Sequence, residues 1–182
     1  ERARVLGALQ SEGLLDRQTK LLVPLVPLRI GLVTSDDSAA YHDFVEGIKT
    51  SGYAFSIILS SSMVQGADAP ESISVALKAV AKAKPDVIAL VRGGGAKTDL
   101  AAFDAEVVAR TIASLKIPVF TGVGHEIDRS IADEVANSAF KTPTAVASHL
   151  VEIVGEYASE ISRIGERVLA LAETVCVDAR SD

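Results

Sequence analysis

Four apolar runs constrain this chain more than any other feature: LRIGLVT (28–34), YAFSIILSSSMVQG (53–66), PDVIALVR (85–92) and IPVFTGVG (117–124). They are rich in Val, Ile and Leu and barely alternate with polar residues. A strand of that kind needs apolar cover on both sides. The segments between them, 38–51, 70–83 and 104–115, read as helices, the second with Pro70 at its start and apolar residues at helical spacing. Buried strands separated by helices specify a mostly parallel sheet with helices on both faces, an α/β fold. The 182 residues are 48% hydrophobic, enough for one such core, and only 4% aromatic, so Val, Ile, Leu and Ala must fill it.

Both ends of the chain read differently. ERARVLGALQSEGLLD suggests a short helix, and Pro24 and Pro27 in LLVPLVP disfavour helix, so 1–27 is a lead-in helix and proline-containing linker. The α/β unit spans 28–143. After it, Val154, Ile161, Val168 and Val175 recur every seven residues, as do Leu150, Tyr157, Ile164 and Leu171. Offset by four and three, the two sets form a heptad seam. Thr142 and Pro143 suit the cap and first position of that helix. A core helix packed on its own domain is the rival reading. The seam's length favours a coiled-coil-like arm, 144–182, that leaves the domain and continues past Asp182. Its uncovered apolar face would pair with another helix, of its own chain, a second copy or a partner.

Some classes are excluded or disfavoured. The single cysteine, Cys176, allows no internal disulfide and fits a reducing compartment. No apolar span approaches membrane length, so the expectation is a soluble cytoplasmic chain without membrane contact. Starting on Glu1, it reads as a fragment or a processed product. A net charge of −6 argues against a generic nucleic-acid binder.

Ligands of parallel sheets sit at the carboxyl ends of the strands. Three polar segments fall there: TSDDSAAYHD, RGGGAKTDL and GVGHEIDRS. In the second, Gly93, Gly94 and Gly95 permit close approach of a ligand, and their amides suit an anion nest. Arg92 adds a forked cation matched to phosphate oxygens. A plain strand-to-helix turn would also explain glycines there, but the adjacent arginine favours an anion site. The spacing is not that of a dinucleotide fingerprint. In the third segment His125 is a candidate proton shuttle, with Asp128 three residues on to orient it. The competing reading makes Asp128 a helix cap and His125 merely exposed. Asp43, on the first α/β helix, is either solvated or leaning over the sheet edge. His42 and His149 lack such settings. A metal has little support: Asp43, Asp99, Asp104 and Asp128 are available to magnesium, but no D-x-D pair draws them together.

The stretch VRGGGAKTDLAAFDAEVVARTIASLKIPVFTGVGHEIDRSIADEVANSAFKTPTAVA resembles the central domain of the exodeoxyribonuclease VII large subunit family, with its R-G-G-G-S-x-x-D-L, P-V-x-x-G-x-G-H-E-x-D-x-T-x-x-D and T-P-T-x-A segments in order. IGLVTSDDSAAYHD is similar to the family's I-G-x-x-T-S-P-x-x-A-A-x-x-D, and SEGLLDRQTKLLVPLVP to the segment before it. The resemblance implies an enzyme that degrades single-stranded DNA to short oligonucleotides. It implies a small partner subunit held by a long helical region, an OB domain upstream, and no requirement for a divalent metal. It carries over Asp43, Arg92, His125 and Asp128 as functional residues. On that basis Arg92 and the Gly93, Gly94 and Gly95 amides, with Lys97 and Lys141, would hold DNA phosphates. His125 would act as general base or acid, Asp128 would orient it, and Asp43 would position water or a proton. The chain departs from the family at Ala96 (usually Ser), Asp36 (usually Pro) and Ala139 (commonly Arg), with Lys141 available in place of that arginine. Two other readings are a small-ligand sensor of periplasmic-binding-like type and a catalytically silent scaffold for a helical partner.

Overall fold

The computed structural model describes residues 2–93, 97–123 and 129–181, the side chains of 97–99 and 174–181 excepted. Five strands form one parallel sheet: β1 (Arg29–Thr34), β2 (Ser56–Ser61), β3 (Val87–Val91), β4 (Val119–Gly122) and β5 (Ser138–Phe140), in the order β2-β1-β3-β4-β5. The helices are α1 (Arg2–Ser11), α2 (Ala39–Lys49), α3 (Ala69–Lys82), α4 (Glu106–Ser114), α5 (Ile131–Val135) and α6 (Pro143–Ser181), with a 3₁₀ helix over Lys97–Asp104.

The apolar strands are covered on both faces, as their composition requires. Ile30, Leu32, Val87, Ala89, Val91 and Phe120 pack with α2 and the start of α6 through Phe44, Ile48, Val146 and Leu150. On the other face Val33, Ile88, Leu90 and Val119 pack with α1, α3, α4 and α5 through Leu9, Leu77, Ile112 and Ile131. The alternation of these residues along each strand fixes which side of the sheet every later residue addresses.

The lead-in belongs to this packing. Val5 and Leu9 of α1 are buried in the second cluster. Gln18 is fully buried, and its Nε2 donates to the carbonyls of Ile112 (2.9 Å), Leu115 (3.0 Å) and Ile117 (3.3 Å). Its Oε1 accepts from the Val119 amide at 2.9 Å, so one amide side chain closes off the turn into β4. Arg110 of α4 bridges Glu106 and Glu12, tying the lead-in to α4 from outside. The Arg110 guanidinium holds the Glu12 carboxyl below its ordinary pKa, and the paired carboxylates raise that of Arg110.

Several boundaries differ from the sequence reading. β2 is shorter than 53–66, ending at Ser61 before a serine-rich turn. Residues 97–104 are a 3₁₀ helix, and α4 starts at Glu106. A fifth strand and the short α5 lie inside a stretch for which the sequence reading gives neither. β5 has only three residues, too few for a periodic signal. α5 is instead announced by a capping box: Ser130 Oγ accepts from the Asp133 amide, and the Ser130 amide donates to the Asp133 carboxylate.

α6 divides the heptad seam in two. It has 39 residues, about 58 Å at the helical rise. Val146, Ala147 and Leu150 are buried with α2 and the sheet, and Val154, one turn on, is buried as well. From Tyr157 on, Ile161, Ile164, Val168 and Leu171 are exposed. Leu150 and Val154 therefore belong to the core, a correction to the seam read as one outward face; the arm begins about one turn later.

Candidate functional site

The carboxyl ends of the five strands form one rim. Arg92 follows β3 directly, and its amide donates to Gly122 O of β4 at 3.1 Å, which extends the β3–β4 ladder by one residue. It is 4% exposed, the one buried charged side chain among the described residues. A guanidinium withdrawn from water is kept only with anionic or polar company, and its position directly after β3 sets Arg92 at the rim. Alternation along β3 puts Arg92 on the side of α4 and α5, since Leu90 packs there.

Gly93, next along, falls on the opposite side. A Cβ there would lie 3.4 Å from Ala40 N and 3.6 Å from Ala40 Cβ, so the chain leaving β3 runs over the beginning of α2. Ser38 caps that helix, accepting from the Tyr41 amide at 3.2 Å and donating to Ser35 O at 2.7 Å. Thr34, at the end of β1, is fully buried beneath it.

Asp43 lies on the exposed side of α2. It precedes Gly47 by one turn, and Gly47 meets α6 so closely that a Cβ would come within 3.0 Å of Ala147 Cβ. Asp43 thus sits on the α6 side of α2, one turn nearer the rim than that crossing. The start of α6 is itself held at the rim. Thr142 caps it by accepting from the Ala145 amide at 3.0 Å. A Cβ on Gly122 would meet Val146 Cγ2 at 2.6 Å and Thr142 O at 2.9 Å, so only glycine lets the helix settle on the end of β4. Lys141 is exposed just before, beyond the edge strand β5. Three strand spacings separate β1 from β5, roughly 14 Å of rim.

The structure therefore brings Asp43, Arg92, Gly93 and Lys141 to one rim, Asp43 and Arg92 on opposite faces of the sheet. Gly94, Gly95, His125 and Asp128 lie outside the described residues, as does the Lys97 side chain. His42 and His149 are engaged elsewhere: His42 Nε2 lies 2.8 Å from Asp37 Oδ1, and His149 packs against the Phe120 and Phe140 rings.

Sequence reasoning missed the residues that support the rim. Asp133 accepts bonds from Thr121 Oγ1, the Ser130 amide and Ser130 Oγ, joining the end of β4 to the start of α5 on the Arg92 side. The S-x-x-D spacing of Ser130 and Asp133 was the available signal. Asp104, weighed as a magnesium ligand, caps the Ile131 amide at 2.8 Å and pairs with Arg2 at 2.9 Å.

A rim with a buried arginine, a close glycine approach and helix starts on one face suits an anionic, phosphate-bearing ligand. Comparison with known proteins agrees with that chemistry. The family model described as exonuclease VII, large subunit, matches residues 14–181. The exodeoxyribonuclease 7 large subunit of Thermotoga petrophila is 39% identical over 165 residues, 91% of this chain and 42% of the relative. That of Moorella thermoacetica is 39% identical over 160 residues, 87% and 40% of the two chains. That of Nitrosomonas eutropha is 41% identical over 145 residues, 79% and 32%. The chain thus spans less than half the length of these relatives.

Proposed function

We propose a function for this chain on one premise: it belongs to the exonuclease VII large subunit family. Within that family it is the catalytic α/β unit of an exodeoxyribonuclease, hydrolysing the phosphodiester bonds of single-stranded DNA to short oligonucleotides. The observation that carries the reading is Arg92, a buried guanidinium at the sheet's carboxyl rim beside a glycine run.

In this mechanism Arg92 and the glycine amides hold the scissile phosphate and stabilise the charge that builds on its oxygens as water attacks phosphorus. His125 takes the proton from water or delivers one to the departing oxygen, Asp128 orients His125, and Asp43 positions water. Lys97 and Lys141 hold neighbouring phosphates. The arginine and amides supply the positive field without a divalent ion. The exposed stripe of α6 holds the small subunit, and the chain works in the cytoplasm with its DNA. Among the described residues no helix is long and apolar enough to cross a membrane. The relatives do not favour the sensor or silent-scaffold readings.

The test is degradation of end-labelled single-stranded DNA by the full-length protein with its small subunit, with and without chelator. His125→Ala should abolish cleavage while DNA binding persists, and chelator should leave the parent active. Cleavage by His125→Ala at the parent's rate would remove His125 from the mechanism.

A further inference from the structure

One group on the rim has no role in that scheme. Thr34 is fully buried, and its Oγ1 has no hydrogen-bond partner among the described residues. A hydroxyl removed from water and left unpaired is unfavourable, and native folds rarely keep one without a reason.

Its surroundings supply a reason. β1 and β3 are neighbours, yet the chain leaves β1 toward β2 and leaves β3 toward β4, so the order of the sheet reverses between them. Open parallel sheets bind their ligands at that switch point. Alternation along β1 puts Thr34 with Ile30 and Leu32, on the face that α2 covers. The 11-residue α2 begins shortly after Thr34, and its first turn carries no acidic side chain. The first amides of a helix have no partner within it and form the positive end of its dipole. Of the two nearby loop carboxylates, Asp37 is paired with His42 at 2.8 Å and Asp36 accepts from the Asp37 amide at 3.0 Å. Gly93 passes over Ala40 with no side chain to fill the space.

We propose that Thr34 is a phosphate-binding residue: its hydroxyl donates to a non-bridging oxygen of a DNA backbone phosphate seated at the start of α2, on the strand next to the one carrying Arg92. This assignment rests on the nuclease reading above. A neutral donor with no partner among the described residues binds an anion without first breaking a bond to any of them. Serine preserves the interaction; valine, of the same shape, removes it.

The experiment compares Thr34→Val and Thr34→Ser in the full-length large subunit with its small subunit, measuring kcat and KM on single-stranded DNA and the melting temperature. Thr34→Val should raise KM about tenfold, the size of one hydrogen bond to a charged group, with a smaller change in kcat. Thr34→Ser should restore KM. Thr34→Val should melt at or above the parent temperature, because no bond to a described residue is lost. A lower melting temperature would show a structural partner for the hydroxyl and overturn the proposal. So would an unchanged kcat/KM in Thr34→Val while His125→Ala is inactive, a result that spares the nuclease reading. A parent complex unable to degrade single-stranded DNA would defeat that reading and this proposal with it.

Discussion

Replacing Gly122 by alanine tests how the rim is assembled. The added methyl would lie 2.6 Å from Val146 Cγ2, 2.9 Å from Thr142 O and 3.1 Å from Thr142 C. Two of those atoms are backbone at the capped start of α6. The third belongs to a β-branched side chain whose rotamer a helix restricts. No flexible group can yield, so the start of α6 must move off β4. Overpacking of this kind costs about 1–3 kcal/mol. For a domain of this size that lowers the melting temperature by roughly 2–12 °C. The displacement also reaches the site, because Gly122 O accepts the Arg92 amide. A shift near 1 Å at a catalytic group costs on the order of a hundredfold in rate, so cleavage should fall well beyond the loss of folded protein. Gly165 provides the control. It lies in the exposed part of α6, and a Cβ there would meet nothing within 4 Å. Gly165→Ala should stabilise by up to about 1 kcal/mol through helix propensity. Differential scanning calorimetry on both variants, with cleavage rates, decides the matter. A Gly122→Ala protein that melts and cuts like the parent would refute the close packing of α6 on β4.

The core and arm portions of α6 should respond oppositely. Leu150→Ala should cost about 2–5 kcal/mol in denaturant unfolding, whereas Ile161→Asp with Val168→Asp should leave the α/β core folded and abolish helix pairing through the arm, read by sedimentation. Gln18→Leu should destabilise strongly, by about 1–3 kcal/mol for each carbonyl left unpaired, measured in the same unfolding assay. Glu12 should titrate below the ordinary carboxylate range in NMR; with its folded pKa depressed, the contribution of the Glu12–Arg110 pair is present above the unfolded pKa and lost as the pH falls through the folded one. Arg110→Gln should return Glu12 to an ordinary titration, and an unshifted Glu12 in the parent would deny the pair any strength in solution.

The sheet was legible because its central strands are buried on both faces, and burial leaves an unbroken apolar run in the sequence. β5 was not, since Ser138–Phe140 is short and only half-buried. The cap at Thr142 was legible because a Thr-Pro pair states its own geometry. The division of α6 was not: Leu150 and Tyr157 fit one heptad equally, and only the reach of α2 decides which is covered. At the rim, Arg92 and Gly93 could be read from their chemistry. Thr34 could not, because a threonine closing a strand looks the same with or without a hydrogen-bond partner. Asp133 and Asp104 act through backbone amides brought close by folding, which spacing reveals only for Ser130 and Asp133.

The proposed chemistry depends most on Arg92 as the cation that holds the scissile phosphate. Single-turnover cleavage of single-stranded DNA by the full-length Arg92→Lys protein with its small subunit measures this most directly. Lysine keeps the charge and loses the fork, so the rate per folded protein should fall on the order of 10²–10³-fold, as for removal of a preorganised transition-state donor. An Arg92→Lys enzyme that cleaves at the parent rate would contradict that role for Arg92.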